Sequence, residues 1–320
     1  MPMVETVRGA VDTQNLGTTL MHEHVFVLNE EIRQNYPAGW DEDGRVDDAV
    51  GKLNALARRG CQTIADPTVI GLGRDIGRIV RVAAGTSLNI IVATGLYTYN
   101  DLPFYFRFRG PGPDGLDPMA QLFIEDLTTG IGGTPVKAAF LKCAVDEPGL
   151  TPGVERVLRA VCQAHAETGA PVTIHTHPQS FTGRAVLDVL RAEKADLTKV
   201  VLGHSGDSTD LDYLSELADA GCLLGMDRFG LDIITPFDDR VATVAAMCER
   251  GYADRMVLSH DAACHIDWFP AQVVPRFAPS WHFGHLFDDV LPALREHGVS
   301  ESQIQAMLVD NPRRYFSASS

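Results

Sequence analysis

The chain has 320 residues, of which 45% are hydrophobic and 22% are charged. That mix is typical of a globular protein that can bury a large core without disulfides. Its 27 basic and 42 acidic side chains give a net charge of −15, which disfavours nucleic acid or an anionic membrane as a partner, because both require a basic surface. No stretch has the ~18 apolar residues of a membrane span, and the first residues lack the pattern of a signal peptide. We therefore expect a cytoplasmic location.

The cysteines show no metal-binding or redox spacing. None of the six, which are Cys61, Cys143, Cys162, Cys222, Cys248 and Cys264, belongs to a CxxC pair. Several lie within apolar runs, where a small buried thiol is the ordinary interpretation. We expect them to be reduced, as in cytoplasmic proteins.

Short apolar runs alternate with longer amphipathic segments along the whole chain. Eight strand candidates begin at Thr18, Cys61, Leu88, Lys137, Ala170, Lys199, Cys222 and Arg255. Helical patterns between them cover 46–60, 152–169, 183–194, 210–221 and 238–251, and several end at or near glycine, as helices commonly do. This alternation predicts βαβ units and a parallel sheet. Eight such units predict an α/β fold of the (β/α)8 TIM-barrel type, with residues 1–320 forming one domain.

Two segments interrupt this alternation. Residues 101–118 follow the third strand candidate, and residues 264–287 follow the eighth. Both are longer than the roughly 12 residues beyond which a loop in a compact domain is usually functional. They also follow the carboxyl ends of strands, the face where barrel enzymes carry their active sites.

Polar side chains that are unusual beside apolar runs occur at the ends of five of these strands. They are His22, His24, Lys142, His175, His204 and Asp261. Because the carboxyl ends of barrel strands meet on one face, these side chains should converge. Imidazole and carboxylate groups are ligands for zinc, manganese, iron and cobalt. The pattern therefore predicts a metal site.

The lysine is the informative member of this set. Lys142 follows the run Ala-Ala-Phe-Leu, where an unpaired ammonium would be costly to bury. An ammonium would also repel a divalent metal ion. Lys142 fits a metal site only when it is deprotonated or converted by CO2 to a carbamate, which would be an anionic bridging ligand.

Other interpretations of the histidines stay open at this point. A lone histidine at a strand end is more often a hydrogen-bonded structural residue than a ligand. His177 lies on the same strand face as His175 and competes with it. His260 and His265 flank the eighth strand, and we interpret both as structural.

The ordered motifs HEH, the strand-four lysine, HTH, GHSGD and SHDA resemble those of the phosphotriesterase family in the amidohydrolase superfamily. Two further stretches, TGLYTYNDLPFYF and GMDRFG, resemble the lactonase branch of that family, the phosphotriesterase-like lactonases. The resemblance extends from the first strand to the terminal NPRRYF and implies a barrel of the amidohydrolase type.

The resemblance also implies a binuclear centre. His22, His24 and Asp261 would hold the more buried metal ion, while His175, rather than His177, and His204 would hold the more exposed one. Carboxylated Lys142 and a hydroxide would bridge the two ions. Zinc is expected first, with cobalt, iron and manganese as alternatives.

The implied reaction is attack of the bridging hydroxide on a lactone carbonyl, with Asp261 carrying the proton to the leaving alkoxide. Tyr97 would orient the lactone ring and Tyr99 would line the same pocket. Arg228 would contact the substrate or form a salt bridge, with Asp227 as the expected partner. An apolar channel for an acyl chain would be formed by Leu72, Trp268 and Trp281. The expected substrates are N-acyl-homoserine lactones, which makes quorum quenching the expected role, with weak organophosphate triesterase activity on the side.

Three alternatives remain. The first is a dedicated phosphotriesterase or arylesterase. The second is an amidohydrolase that acts on C–N bonds, against which Lys142 counts, and the third is a barrel that has lost catalysis and serves in binding. The resemblance further implies a homodimer, supported in the sequence only by apolar residues within 102–108.

Overall fold

The computed structural model describes residues 1–113, 115–270 and 272–317. Its strands are β1 Met3–Thr6, β2 Gly9–Asp12, β3 Thr19–Leu20, β4 His24–Val27, β5 Thr63–Asp66, β6 Asn89–Gly95, β7 Phe140–Val145, β8 Val172–Thr176, β9 Val200–Gly203, β10 Leu223–Met226, β11 Met256–Leu258 and β12 Ala263–Ile266. Strands β3 and β5 to β11 form one parallel sheet in chain order.

The first and last strands close this sheet into a barrel. Strand β4 continues the direction of β3, and β12 follows β11. These two continuations pair in parallel, with Ala263 opposite His24. Between them, the amide of Asp261 donates to the carbonyl of His22 at 3.0 Å. The predicted (β/α)8 barrel is confirmed, and each of the eight strand candidates contains at least one of its strands.

The helices surround the barrel. They are α1 Glu30–Asn35, α2 Glu42–Arg58, α3 Ile76–Ala84, α4 Phe104–Arg107, α5 Pro118–Thr128, α6 Pro152–Thr168, α7 Thr182–Ala192, α8 Leu211–Asp219, α9 Phe237–Glu249, α10 Val274–Phe277, α11 Leu291–Glu296, α12 Glu301–Gln305 and α13 Asn311–Phe316. Single π-helical turns, Leu286–Val290 and Ala306–Asp310, precede α11 and α13. No helix within the described ranges is both long and apolar enough to cross a membrane.

Helix α6 shows how local sequence sets these boundaries. The Thr151 side chain accepts a hydrogen bond from the amide of Val154 and caps the first turn. Pro152 occupies that turn, where no amide donor is missed. Gly169 ends the helix in the left-handed conformation at φ 69°, which costs glycine little. One face of α6, including Leu158, is buried against the barrel.

The first strand differs from the sequence prediction in one respect. The run from Thr18 was expected to be a continuous strand, but residues 21–23 separate β3 from β4. The reason is a change of partner. Strand β3 pairs with β5, whereas β4 pairs with β12. His22 therefore lies at the gap through which the barrel closes.

Three other features extend or confirm the sequence analysis. The antiparallel β1–β2 hairpin was not predicted, and its turn is held near β6 by the bond from the Val7 amide to the carbonyl of Ile90. The two long segments follow β6 and β11 and carry α4, and β12 with α10, respectively. All six cysteines are free and buried, as expected.

Candidate metal centre

Three of the predicted ligands converge on the carboxylate of Asp261 at the carboxyl end of the barrel. Nε2 of His22 and Nε2 of His24 each lie 3.2 Å from Asp261 Oδ1. Nε2 of His204 lies 3.8 Å from Asp261 Oδ2. One ligand atom from each of His22, His204 and Asp261 falls within a 4.8 Å group, which is compatible with a shared metal ion.

His175 lies directly beside this group. Its Nδ1 is 2.8 Å from Nε2 of His204, and both rings are buried. Its other nitrogen, Nε2, is hydrogen-bonded to Asp146. Burial lowers the pKa of His175 to about 4, because desolvation disfavours the charged ring. The imidazole is therefore neutral at physiological pH, the form that ligates a metal.

Neighbouring side chains fix which nitrogen of each histidine faces the centre. Asp227 accepts from Nδ1 of His22 and Nδ1 of His204, both at 2.9 Å. Nδ1 of His24 donates to Thr68 Oγ1 at 2.7 Å. Burial lowers the pKa of His22 and that of His204, and in these neutral rings the inward-facing Nε2 is left without a proton. Such outer partners are the usual means of orienting histidine ligands.

The roles of Asp227, Asp146 and Thr68 were not predicted from the sequence. Asp227 directly follows β10 and Asp146 directly follows β7, just as the candidate ligand His204 follows β9. That position was the available signal, but it does not distinguish a ligand from a residue that holds a ligand.

Lys142 points an unpartnered amine into this group. The residue is 1% exposed, and Nζ finds no hydrogen-bond partner in the described part of the chain. Burial lowers its pKa to about 8, although Asp261 and Asp227 oppose the shift. A buried polar atom without a partner is costly. The donor set of four imidazoles and one carboxylate fits divalent metal ions, and Lys142 could join it only in an uncharged or carboxylated form.

Arg228 also contacts Asp261, at the carboxylate oxygen that does not face His22 and His24. Arg228 Nε lies 3.0 Å from Asp261 Oδ2, and its Nη1 lies 2.9 Å from Asp207 Oδ2. Burial alone would raise the pKa of Asp261, but His22, His204 and Arg228 outweigh it and hold that pKa well below its usual value. The predicted pairing of Arg228 with Asp227 is wrong, because Asp227 is already engaged by two histidines.

A cavity of about 220 Å³ lies over this centre. Its lining includes every predicted ligand and every predicted pocket residue, namely Tyr97, Tyr99, Arg228, Leu72, Trp268 and Trp281. The walls are mostly apolar, and some of their residues were not predicted from the sequence. Leu231, Ile233 and Ile234, in the loop after β10, complete the cavity on that side.

The two tyrosines form the polar edge of the cavity. Tyr97 Oη lies 3.2 Å from His175 Nδ1 and 2.5 Å from Tyr99 Oη. Burial raises the pKa of Tyr97 well above its ordinary value, so its hydroxyl stays protonated and can donate a hydrogen bond.

The competing histidines lie elsewhere. His177 Nδ1 is bonded to Ser180 Oγ at 2.8 Å, and His177 does not line the cavity. His260 is hydrogen-bonded to Glu23 in the core, and the ring of His265 is tilted against Trp40 at 5.7 Å between ring centroids. These positions agree with the structural interpretation of His260 and His265.

The family model described as "Phosphotriesterase family" matches residues 2–316. The chain belongs to the phosphotriesterase family. It is 58% identical to a solved structure described as the phosphotriesterase from Mycobacterium tuberculosis, with a TM-score of 0.97 and 99% of each chain covered. It is also 40% identical to the aryldialkylphosphatase of Saccharolobus solfataricus, over 97% of this chain and 98% of that one.

A further solved structure of this family carries both activities in its description. Its description names organophosphate hydrolysis activity that was engineered from a weak promiscuous lactonase template. It is 32% identical, with a TM-score of 0.90, and covers 99% of this chain and all of its own. Membership in the phosphotriesterase family makes this chain a metal-dependent hydrolase that acts on small molecules.

Proposed function

We propose that this phosphotriesterase-family member opens lactones, and N-acyl-homoserine lactones in particular, in quorum quenching. The observation that carries the proposal is the cavity, which has a floor of ligand-type side chains, a tyrosine pair at one edge and apolar walls. Such a cavity suits a neutral substrate that has one polar ring and an aliphatic tail. The lactonase template named among its structural relatives is consistent with this choice.

We assign two divalent ions to the centre, zinc first. His22, His24 and Asp261 would hold one, His175 and His204 the other, and carboxylated Lys142 would bridge them. Bound there, the ions would act as Lewis acids and lower the pKa of water toward neutrality. The assignment is supported by the convergence of three imidazoles on Asp261 and by Nζ of Lys142, which has no hydrogen-bond partner among the described residues.

Asp261 is the group placed to move the proton. Its carboxylate is ionised in the folded protein, because the neighbouring imidazoles and Arg228 favour the charged form. It can therefore accept the proton of the attacking water and return it to the leaving alkoxide. Arg228 keeps Oδ2 in place while Oδ1 faces His22 and His24. In a lactone the alkoxide stays tethered, so the product is one hydroxy acid.

The remaining side chains orient the substrate. Tyr97 would donate a hydrogen bond from its hydroxyl to the lactone ring, and Tyr99 Oη, 2.5 Å away, would hold that hydroxyl in position. Leu72, Trp268 and Trp281 lie along the apolar walls and would contact the acyl chain. Trp268 is 48% exposed at the mouth, so a long chain could extend past it toward solvent.

Organophosphate triester hydrolysis is the second candidate function. The aryldialkylphosphatase relative favours it, and the same cavity accepts an uncharged triester. We propose it as a weak side activity, because the tyrosine pair suits a ring carbonyl better than a phosphoryl group with three substituents.

The oligomeric state is part of the proposal. Phe104 and Phe108 on and beside α4 are 72% and 78% exposed, and their rings stack at 5.9 Å. With Tyr105 they form an apolar patch that soluble monomers seldom leave uncovered. We assign this patch to the interface of a homodimer. The free buried thiols are consistent with the cytoplasmic location proposed from the sequence.

The proposal is tested by comparing substrates on one protein preparation. Ring opening of N-octanoyl-homoserine lactone is followed by pH-stat, and hydrolysis of paraoxon and of 4-nitrophenyl acetate by absorbance. We expect kcat/KM for the lactone to exceed that for the triester by about 10²-fold or more, and activity to disappear after chelation and return with zinc. A larger kcat/KM for paraoxon would favour the dedicated triesterase, and full activity after complete chelation would refute the metal-dependent assignment.

A further inference from the structure

Glu23 lies between two predicted ligands in the chain but faces away from the metal centre. It is 0% exposed, as is its partner His260. We propose that Glu23 is a positioning residue that fixes Asp261 through the two backbone amides on either side of it. The inference rests on the proposed role of Asp261 as a metal ligand.

The hydrogen bonds of Glu23 bracket Asp261. Its Oε1 accepts from the amide of His260 at 2.9 Å and from His260 Nδ1 at 2.6 Å. Its Oε2 accepts from the amide of Ala262 at 3.2 Å. The amide of Asp261 itself donates to the carbonyl of His22 at 3.0 Å. Three consecutive amides, 260 to 262, are thus all fastened to the segment that carries His22 and His24.

Asp261 needs such restraint because its backbone is strained. It adopts φ 55°, in the left-handed region, where the Cβ of an L-residue is crowded against the backbone. A conformation of this kind persists only where the surroundings over-determine it. The amides that Glu23 holds are those of the residues flanking the strained position.

His260 extends this restraint toward the substrate cavity. Its Nε2 accepts from the amide of Leu286 at 2.9 Å, so Nδ1 carries the ring proton and donates it to Glu23. Its carbonyl accepts from Trp281 Nε1 at 2.9 Å. Trp281 lines the cavity. Glu23 therefore connects the segment that carries His22 and His24, the strained Asp261 and one wall of the substrate pocket.

Burying a carboxylate is energetically unfavourable unless hydrogen bonds compensate for the water that it loses. The two carboxylate oxygens of Glu23 accept three hydrogen bonds, one from each of the three donors that surround them. Glutamine at this position would be isosteric but would place an NH2 donor against one of those donors. The substitution should therefore release one side of Asp261 without creating a cavity.

The test measures metal binding rather than activity. We compare zinc affinity, by calorimetry with a competing chelator, for the wild type, Glu23→Gln and Asp126→Asn. Asp126 is a matched control, since it is also a buried carboxylate and accepts from Thr94 at 2.6 Å and Arg74 at 2.9 Å. We expect Glu23→Gln to weaken the tighter metal site by about 10-fold to 10²-fold and to change the visible absorption of the cobalt-loaded protein. Asp126→Asn should lower thermal stability comparably and change neither reading.

A second variant, Glu23→Asp, provides the same test if Glu23→Gln does not fold. Glu23→Asp keeps the charge but is one methylene too short to reach both flanking amides, so it should weaken the same site. Wild-type affinity and absorption in either folded variant would overturn the inference. Asp261→Asn distinguishes failure of the proposed metal centre from failure of the positioning role of Glu23. If this variant retains both metal ions, the proposed centre is wrong. If it loses metal while both Glu23 variants bind metal normally, only the positioning role is wrong.

Discussion

Arg228 and Asp261 form a largely buried ion pair, with Nε of the arginine 3.0 Å from Oδ2 of the aspartate. Arg228 is also fixed from behind by Asp207, which Arg240 approaches at 2.6 Å. The proton acceptor of the proposed reaction is thus held by a chain of alternating charges. Neither link of this chain was predicted from the sequence.

Removing the arginine should impair the proposed proton transfer. Arg228→Met leaves Asp261 without its cationic partner, so its carboxylate loses both orientation and part of the bias toward the charged form. We expect kcat for lactone opening to fall by about 10²-fold, with a smaller change in KM. Arg184→Met, which breaks an exposed pair with Glu216, serves as the control and should leave kcat unchanged. A change confined to KM would instead make Arg228 a substrate-binding residue alone.

The hydroxyl of Tyr97 should matter more than its ring. Tyr97→Phe keeps the aromatic wall but removes the donor that lies near His175. Steady-state kinetics on N-octanoyl-homoserine lactone should show kcat/KM reduced by about 10²-fold, the effect typical of losing one oriented donor to a developing oxyanion. Tyr36→Phe, at an exposed position away from the cavity, provides the comparison. Equal kinetics for the two variants would remove Tyr97 from the mechanism.

The apolar mouth predicts a dependence on acyl-chain length. Trp268→Ala removes the largest exposed side chain of the wall, so the KM for a long-chain lactone should rise by about 10-fold. The KM for the N-butanoyl substrate should hardly change, because a short chain would not extend to the mouth. Val80→Ala, an exposed position on α3, is the matched control. If both substrates were affected equally, the acyl chain would have to follow a different path.

The buried thiols predict a loss of stability at alkaline pH. Burial raises the pKa of Cys61 to about 12 and that of Cys248 to about 11, whereas an unfolded cysteine has a pKa of about 8.5. The folded state therefore retains protons that the unfolded chain releases. The stabilisation is complete below the unfolded pKa and is lost as the pH rises toward the folded pKa.

The measurement is urea unfolding across that range of pH. The free energy of unfolding should decline above about pH 8.5, and Cys61→Ala should decline less steeply than the wild type. The native protein should also leave its thiols unreactive toward a disulfide reagent at mildly alkaline pH, because burial suppresses the thiolate. A rapid reaction of any thiol in the native state would contradict this account.

The sequence predicted the elements that depend on periodicity and on position along the chain. All eight barrel strands follow from apolar runs that alternate with helical patterns, and the candidate ligands follow from polar residues at the ends of those runs. The apolar wall from Leu231 to Ile234 was missed, since a loop that reaches over a pocket has no periodic signature.

Hydrogen-bond and strand-pairing partners could not be predicted from the sequence, because they are set by contacts between distant parts of the fold. Asp227 and Arg228 are adjacent in the chain, and the sequence suggested that they pair with each other. In the fold, Asp227 instead accepts hydrogen bonds from His22, 205 residues away along the chain, and from His204 at the end of the preceding strand β9. The gap between β3 and β4 has a similar origin, because the change of partner from β5 to β12 is set by closure of the whole barrel.

The proposed binuclear centre is tested most directly by the number of metal ions bound per chain. This number is measured by inductively coupled plasma mass spectrometry on protein that has been loaded with zinc in the presence of bicarbonate. The account predicts two ions per chain in the wild type, and at most one in Lys142→Met with loss of lactone opening. Lys52→Met, which removes an exposed lysine paired with Asp48, should keep both. A Lys142→Met protein that retained two ions and full activity would contradict the binuclear, lysine-bridged centre.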